Sequence, residues 1–355
     1  MSKERSARYA YSGAATPGLW IALALTLYLS GCSGSSFSRS ASTTANATPP
    51  AAAVAGYIWD SRVQGLRPVS GSLGAAHLES PLSGLTLHSA TPCPSHGFAL
   101  AGDAGGNMFA IALPSGQPIK VGDPVSADQQ MVLSPSCANG LVYSPSRGSG
   151  LLISGLPSAS RAQAITMSAS GPLAGAAVSD SGAILFAVAK SDGTTSLEIL
   201  SAAGAPQTLS ASLQKVGGMA FLPGADSAVI ADSAASTVYL GRQLSSGPSF
   251  TAIGASAQGV SNPRAVAASA DGHFAFVANG AGNTLLRIDM NSNAAPIPIA
   301  CSCSPTELIP LAGNAGFQIT DPAAGVIFAL NGDEQTPRTV FIPTDKAGVA
   351  TGGAQ

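Results

Sequence analysis

The chain has 355 residues, a formal net charge of −2, 45% apolar residues and 10% charged residues. So little charge beside so much apolar material excludes a disordered chain, which needs the opposite balance. No basic stretch or positive balance offers a nucleic-acid footprint, and 41 Gly with 25 Pro describe a chain that turns often, as all-β proteins do.

Lys3, Arg5 and Arg8 make a positive start, followed by an apolar run over residues 19–29. The run is too short to span a bilayer as a helix, which takes about 20 apolar residues, and its flanks are those of a secretory signal. Leu29-Ser30-Gly31-Cys32 then resembles the lipobox of bacterial lipoproteins. The resemblance implies cleavage after Gly31, a lipid on Cys32 and a membrane partner held through that lipid. Ser33 after the cysteine implies the outer membrane of the cell envelope, facing the periplasm or the surface. Residues 32–53 are rich in Ser, Thr, Ala and Pro and read as a flexible tether. The chain thus divides into a signal (1–31), a tether (32–53) and a folded body (54–355).

The body is periodic. Turn positions at Gly56, Gly97, Gly140, Gly182, Asp226, Gly272 and Gly316 are spaced 41–46 residues apart. An apolar strand follows each, as in Tyr57-Ile58-Trp59, Leu141-Val142-Tyr143 and Phe274-Ala275-Phe276. A polar loop and a third strand come next. Seven units of about four short strands predict a seven-bladed β-propeller, because one blade cannot bury both of its faces alone. The clearest unit begins at Pro263, turns at Asp271-Gly272 and continues through Asn279 and Asn283-Thr284 to Asp289. It resembles the YVTN-type propeller repeat. That resemblance implies either extracellular binding proteins or lactonases, and it carries no catalytic residue across.

The first unit lacks an innermost strand before Gly56. Residues 347–353 resemble the inner strand around Ala174–Val178 and are expected to fill that place as a clasp between the chain ends. Cys93, Cys137, Cys301 and Cys303 allow three pairings in an oxidising compartment. Cys93 and Cys137 occupy near-equivalent places in adjacent units, which favours pairing them and leaves Cys301 with Cys303.

No nucleophile elbow, phosphate loop or zinc-helix motif is present, so no cofactor or metal is expected. His96 and His273 flank turns and read as solvated side chains. Loops from second to third strand and from outer to next inner strand share one face. They bring Arg62, Asp103, Arg147, Lys190, Asp192, Asp232, Arg264, Asn279, Asn283 and Asp321 there as candidate ligand contacts. Asp and Asn at such positions also shape turns by bonding nearby amides. The expected function is a non-catalytic binding or scaffold module for a protein or small molecule. A lactonase-like hydrolase using the same face is the alternative.

Overall fold

The computed structural model describes residues 53–343, apart from residues 83–85, 124–127, 169–170, 202–203, 212, 322–325 and 334. Seven antiparallel sheets follow one another along the chain, each built from consecutive strands in simple order. The sixth shows the pattern: Pro263–Ala268, Phe274–Asn279, Thr284–Asp289 and Ile297–Ala300, innermost to outermost. Its register pairs Val266 with Val277, Val277 with Leu286, and Leu285 with Ile299. The inner strands of the second to seventh blades are Leu87–Cys93, Gln130–Leu133, Leu173–Val178, Val216–Phe221, Pro263–Ala268 and Glu307–Pro310. Four of them shift register near their start, between Leu87 and Ser89, Leu173 and Gly175, Val216 and Gly218, and Pro263 and Ala265. A bulge there adds local twist as the chain enters the ring.

The apolar character of the second strands follows from their place. In the fifth blade Ala228 and Ile230 face the fourth, while Val229 and Ala231 face the sixth. Alternate side chains of one strand thus enter two different cores. Seven hydrophobic clusters result, one at each boundary between neighbouring blades. The cluster that closes the ring joins Ile58, Val69 and Leu78 of the first blade to Leu311, Ile327 and Ile342 of the seventh. Backbone bonds support it, from Leu78 N–H to the Pro343 carbonyl (3.1 Å) and from Ala312 N–H to the Ala55 carbonyl (3.0 Å).

Among the described residues the first sheet has three strands, Val54–Asp60, Gly65–Ser70 and His77–Leu78. The clasp expected from residues 347–353 lies outside the described residues, as do the signal, Cys32 and the tether through residue 52. Three turn positions differ from the sequence reading. Gly56 lies inside the first strand at a register shift, Gly140 lies inside Asn139–Ser144, and Gly316 opens Gly316–Thr320. The turn residues proper come just before Gly140 and Gly316. There Cys137 takes the left-handed backbone at φ 57°, and Gly313 does so at φ 99°.

Candidate functional site

The inner strands of blades two to seven enclose a central cavity of about 320 Å³. Its wall is mostly apolar, with Met131, Ala177, Met219, Ala220 and Val266 among its lining residues. It runs to the turns joining inner and second strands, where Ser95, Pro135, Pro223, Ala270 and Asn314 stand. Ala and Gly in the inner strands Leu173–Val178, Val216–Phe221 and Pro263–Ala268 help leave this space, because small side chains cannot meet across the axis.

One acid projects into it. Glu307, the first residue of its inner strand, lines the cavity and accepts a 3.3 Å hydrogen bond from Thr320 Oγ1. Water reaches the side chain along the channel, yet protein surrounds it. That enclosure raises its pKa, and the Thr320 hydroxyl offsets only part of the effect. Tyr143 stands near: burial pushes its hydroxyl up to about 12, against a lowering hydrogen bond with the Ala176 backbone and with a smaller addition from the charge of Glu307. Tyr143 Oη donates to Gln130 Oε1 at 2.6 Å. The cavity therefore has a mostly apolar wall with Glu307 as its one acidic lining residue among the described residues. Because folding raises the Glu307 pKa, the fold favours the neutral acid. That contribution is complete below the ordinary glutamate value and is lost as pH rises through the folded value. Thermal melting across this range should show wild type losing stability relative to Glu307→Gln as pH rises, and a constant difference between the two would rule this out.

The residues singled out from the sequence lie where the loops place them, but most are engaged in shaping those loops. Asp232, fully buried, accepts from the backbone N–H groups of Gln214 (2.7 Å), Lys215 (3.1 Å), Ala234 (3.1 Å) and Ala235 (3.0 Å). It thereby ties the loop entering its blade to the loop after its second strand. Asn279 accepts from Ser261 N–H at 2.9 Å and donates to the Gly259 carbonyl at 2.9 Å, repeating the same tie one blade on. Asp321 does so again by accepting from Ser304 N–H at 2.7 Å. Asp103 accepts from Asn107 N–H and Nδ2, both at 2.9 Å. Asp192 accepts from Thr194 N–H at 2.8 Å and Oγ1 at 2.6 Å. Those bonds to Thr194 hold its carboxyl below the usual range, with Lys190 adding its charge.

Arg62 pairs with Asp60 at 2.9 Å, and Arg67 reaches the same carboxylate at 3.2 Å. Burial alone would raise the Asp60 pKa; the two guanidinium partners outweigh it and lower it. Arg264 lies against Gly280, whose missing side chain makes room for it. Asn283 adopts the left-handed backbone at φ 50°, and its carbonyl accepts from Cys301 N–H at 3.0 Å. Arg147 is exposed, and its N–H donates to Ser144 Oγ at 3.2 Å. Lys190 and Asp192, two residues of one loop, do bear on each other.

The opposite face carries a belt of contacts between equivalent turns. Asp180 accepts from Ser136 N–H at 2.7 Å and from Gly224 N–H at 2.9 Å, reaching one blade back and one forward. Asn314 Nδ2 donates to Asp271 at 2.9 Å. Cys93 and Cys137 are joined across the second and third blades with Cα atoms 6.1 Å apart, and Cys301 is joined to Cys303. Glu307 was not singled out by sequence reasoning. Its signal is a charge opening an otherwise apolar four-residue strand, visible only once the strand's start is known.

No family model and no curated protein matches the chain. Solved structures do. A functionally unknown protein from Desulfotomaculum acetoxidans shares 12% identity at a TM-score of 0.56, over 82% of this chain and 99% of that one. The β-propeller domain of Cps50 (Swd1) from Myceliophteria thermophila shares 10% identity at 0.53, over 77% and 95%. Hydrazine synthase from Kuenenia stuttgartiensis shares 9% at 0.53, over 82% and 99%. At these identities the likeness establishes the propeller fold and nothing of activity.

Proposed function

We propose that this protein is an exported, lipid-anchored binding module whose propeller takes a small, mainly apolar molecule into its central cavity, polar end toward Glu307. The mostly apolar cavity lined by a single acid carries the reading: such concave, largely preformed sites with few polar groups are the usual form of a small-molecule site. The resemblance of Leu29–Cys32 to a lipobox and the composition of residues 32–53 support an anchored body in the cell envelope. The resemblance of residues 263–289 to the YVTN-type repeat supports the reading. A lactonase-like hydrolase would need free acids and bases converging on one point. The loop carboxylates Asp103, Asp192, Asp232 and Asp321 instead receive backbone N–H groups.

The test is titration with N-phenyl-1-naphthylamine, an apolar fluorophore with one amine. One site per chain is expected. Ala220→Trp, which pushes an indole into the cavity from a half-buried lining position, should weaken binding at least about tenfold, or about 1.4 kcal/mol. Binding unchanged by Ala220→Trp would overturn the reading.

A further inference from the structure

We propose that Cys93, His96 and Cys137 form a zinc site that the disulfide keeps closed and that opens when the disulfide is reduced. Cys93 and His96 stand at the two ends of a Cys-x-x-His turn, whose centre is the short 3-10 segment Pro94–His96. Cys137 comes from the equivalent turn of the next blade, 44 residues on. The ligand atoms of all three lie within 4.8 Å of one another. Cys93 Sγ lies 3.7 Å from His96 Nδ1. Tetrahedral zinc with Zn–S near 2.3 Å and Zn–N near 2.0–2.1 Å sets ligand-to-ligand separations of about 3.5 Å for S to N and about 3.8 Å for S to S. The sulfur-to-imidazole edge is thus already at the length zinc needs.

A further polar atom lies beside the cluster. Ser95 Oγ lies 3.5 Å from Cys93 Sγ, 2.9 Å from His96 Nδ1 and 4.0 Å from Cys137 Sγ. It borders all three ligand atoms on the side from which a fourth ligand would enter. Both sulfurs are buried while His96 and Ser95 are exposed, so the site has a protein side and a solvent side. Ser95 and Cys137 also line the central cavity, so the fourth position opens onto its mouth. Three protein ligands and one open position is the arrangement of zinc sites that bind or activate a further molecule.

The chemistry balances with a dithiol reductant. Its thiolate attacks one sulfur, the Cys93–Cys137 bond breaks, and the reductant leaves as its cyclic disulfide after giving two electrons and two protons. Zinc then displaces the two thiol protons to solvent, while neutral His96 binds through Nδ1 without losing one. Disulfide and metal are mutually exclusive states of one site.

The test uses the full chain carrying Cys32→Ser, Cys301→Ser and Cys303→Ser, which leaves Cys93 and Cys137 as the remaining cysteines. After reduction and anaerobic removal of the reductant, titration with Co²⁺ is expected to give one ion per chain with sulfur-to-cobalt charge-transfer absorption, displaced by one equivalent of Zn²⁺. The oxidised protein should show neither. His96→Ala, at an exposed position, should leave the oxidised protein's melting temperature unchanged and weaken Co²⁺ binding at least about tenfold. Failure of the reduced protein to bind, binding that His96→Ala leaves intact, or loss of β-sheet circular dichroism on reduction would each overturn the proposal.

Discussion

Asp232→Ala is expected to destabilise the propeller by about 3–5 kcal/mol, because it strands several buried donors at once. The carboxylate is fully buried and receives four backbone N–H groups from two loops. Alanine offers none of them an acceptor, and the loops cannot turn outward to water without opening the start of the inner strand Val216–Phe221. For a body of this size the loss corresponds to a fall in Tm of roughly 5–8 °C. Asp232→Asn keeps one acceptor oxygen and should recover part of the loss. Arg147→Ala, at an exposed residue of the equivalent loop two blades back, should stay within about 0.5 kcal/mol of wild type. Differential scanning calorimetry of the three variants decides the matter. An Asp232→Ala protein with wild-type Tm would show that this loop face is held by something other than its carboxylates.

The second large effect belongs to the ring itself. Phe276 is fully buried at the boundary between the sixth and seventh blades, with its ring centroid 5.1 Å from that of Phe317. It fills the space left by Gly332, where a Cβ would stand 2.6 Å from the ring. Arg287 closes the edge by donating to the Gly332 carbonyl at 3.1 Å, while its guanidinium lies 4.8 Å over Phe274. Phe276→Ala removes a ring that no neighbour can replace, at a cost of about 3–5 kcal/mol. Each blade is packed on both sides in a closed circle, so denaturant unfolding should remain one transition with an unchanged slope and a lower midpoint. Two separate transitions would mean that the blades do not share their stability around the ring.

Much of this was legible in the sequence, for a physical reason. A second strand buried on both faces must be apolar at every position, as Phe274-Ala275-Phe276-Val277-Ala278 is, and turn residues must punctuate such runs. That made the cadence visible even where blades share few residues. Turn positions slipped where the left-handed residue is not the conspicuous glycine: Cys137 turns the chain before Gly140. Asp and Asn at loop positions were expected to bond nearby amides, and Asp103, Asp192, Asp232 and Asn279 do so. Their ties across loops, such as Asp232 to Gln214, connect chain positions about 18 residues apart that only the folded ring brings together. The central cavity left no mark at all, because it is made by what six separate strands lack. The zinc-site geometry was hidden for a similar reason: a Cys-x-x-His turn gains its third ligand only from the next blade.

The central proposal is that this protein binds its ligand in the apolar cavity at the centre of the seven-bladed ring. A crystal structure of the chain grown with N-phenyl-1-naphthylamine tests that directly. The aromatic rings should occupy the space between the six inner strands, near Met219 and Val266, with the amine toward Glu307. Fluorophore density confined to the loop face around Asp103 and Asp232, or an inner channel holding only water, would contradict it.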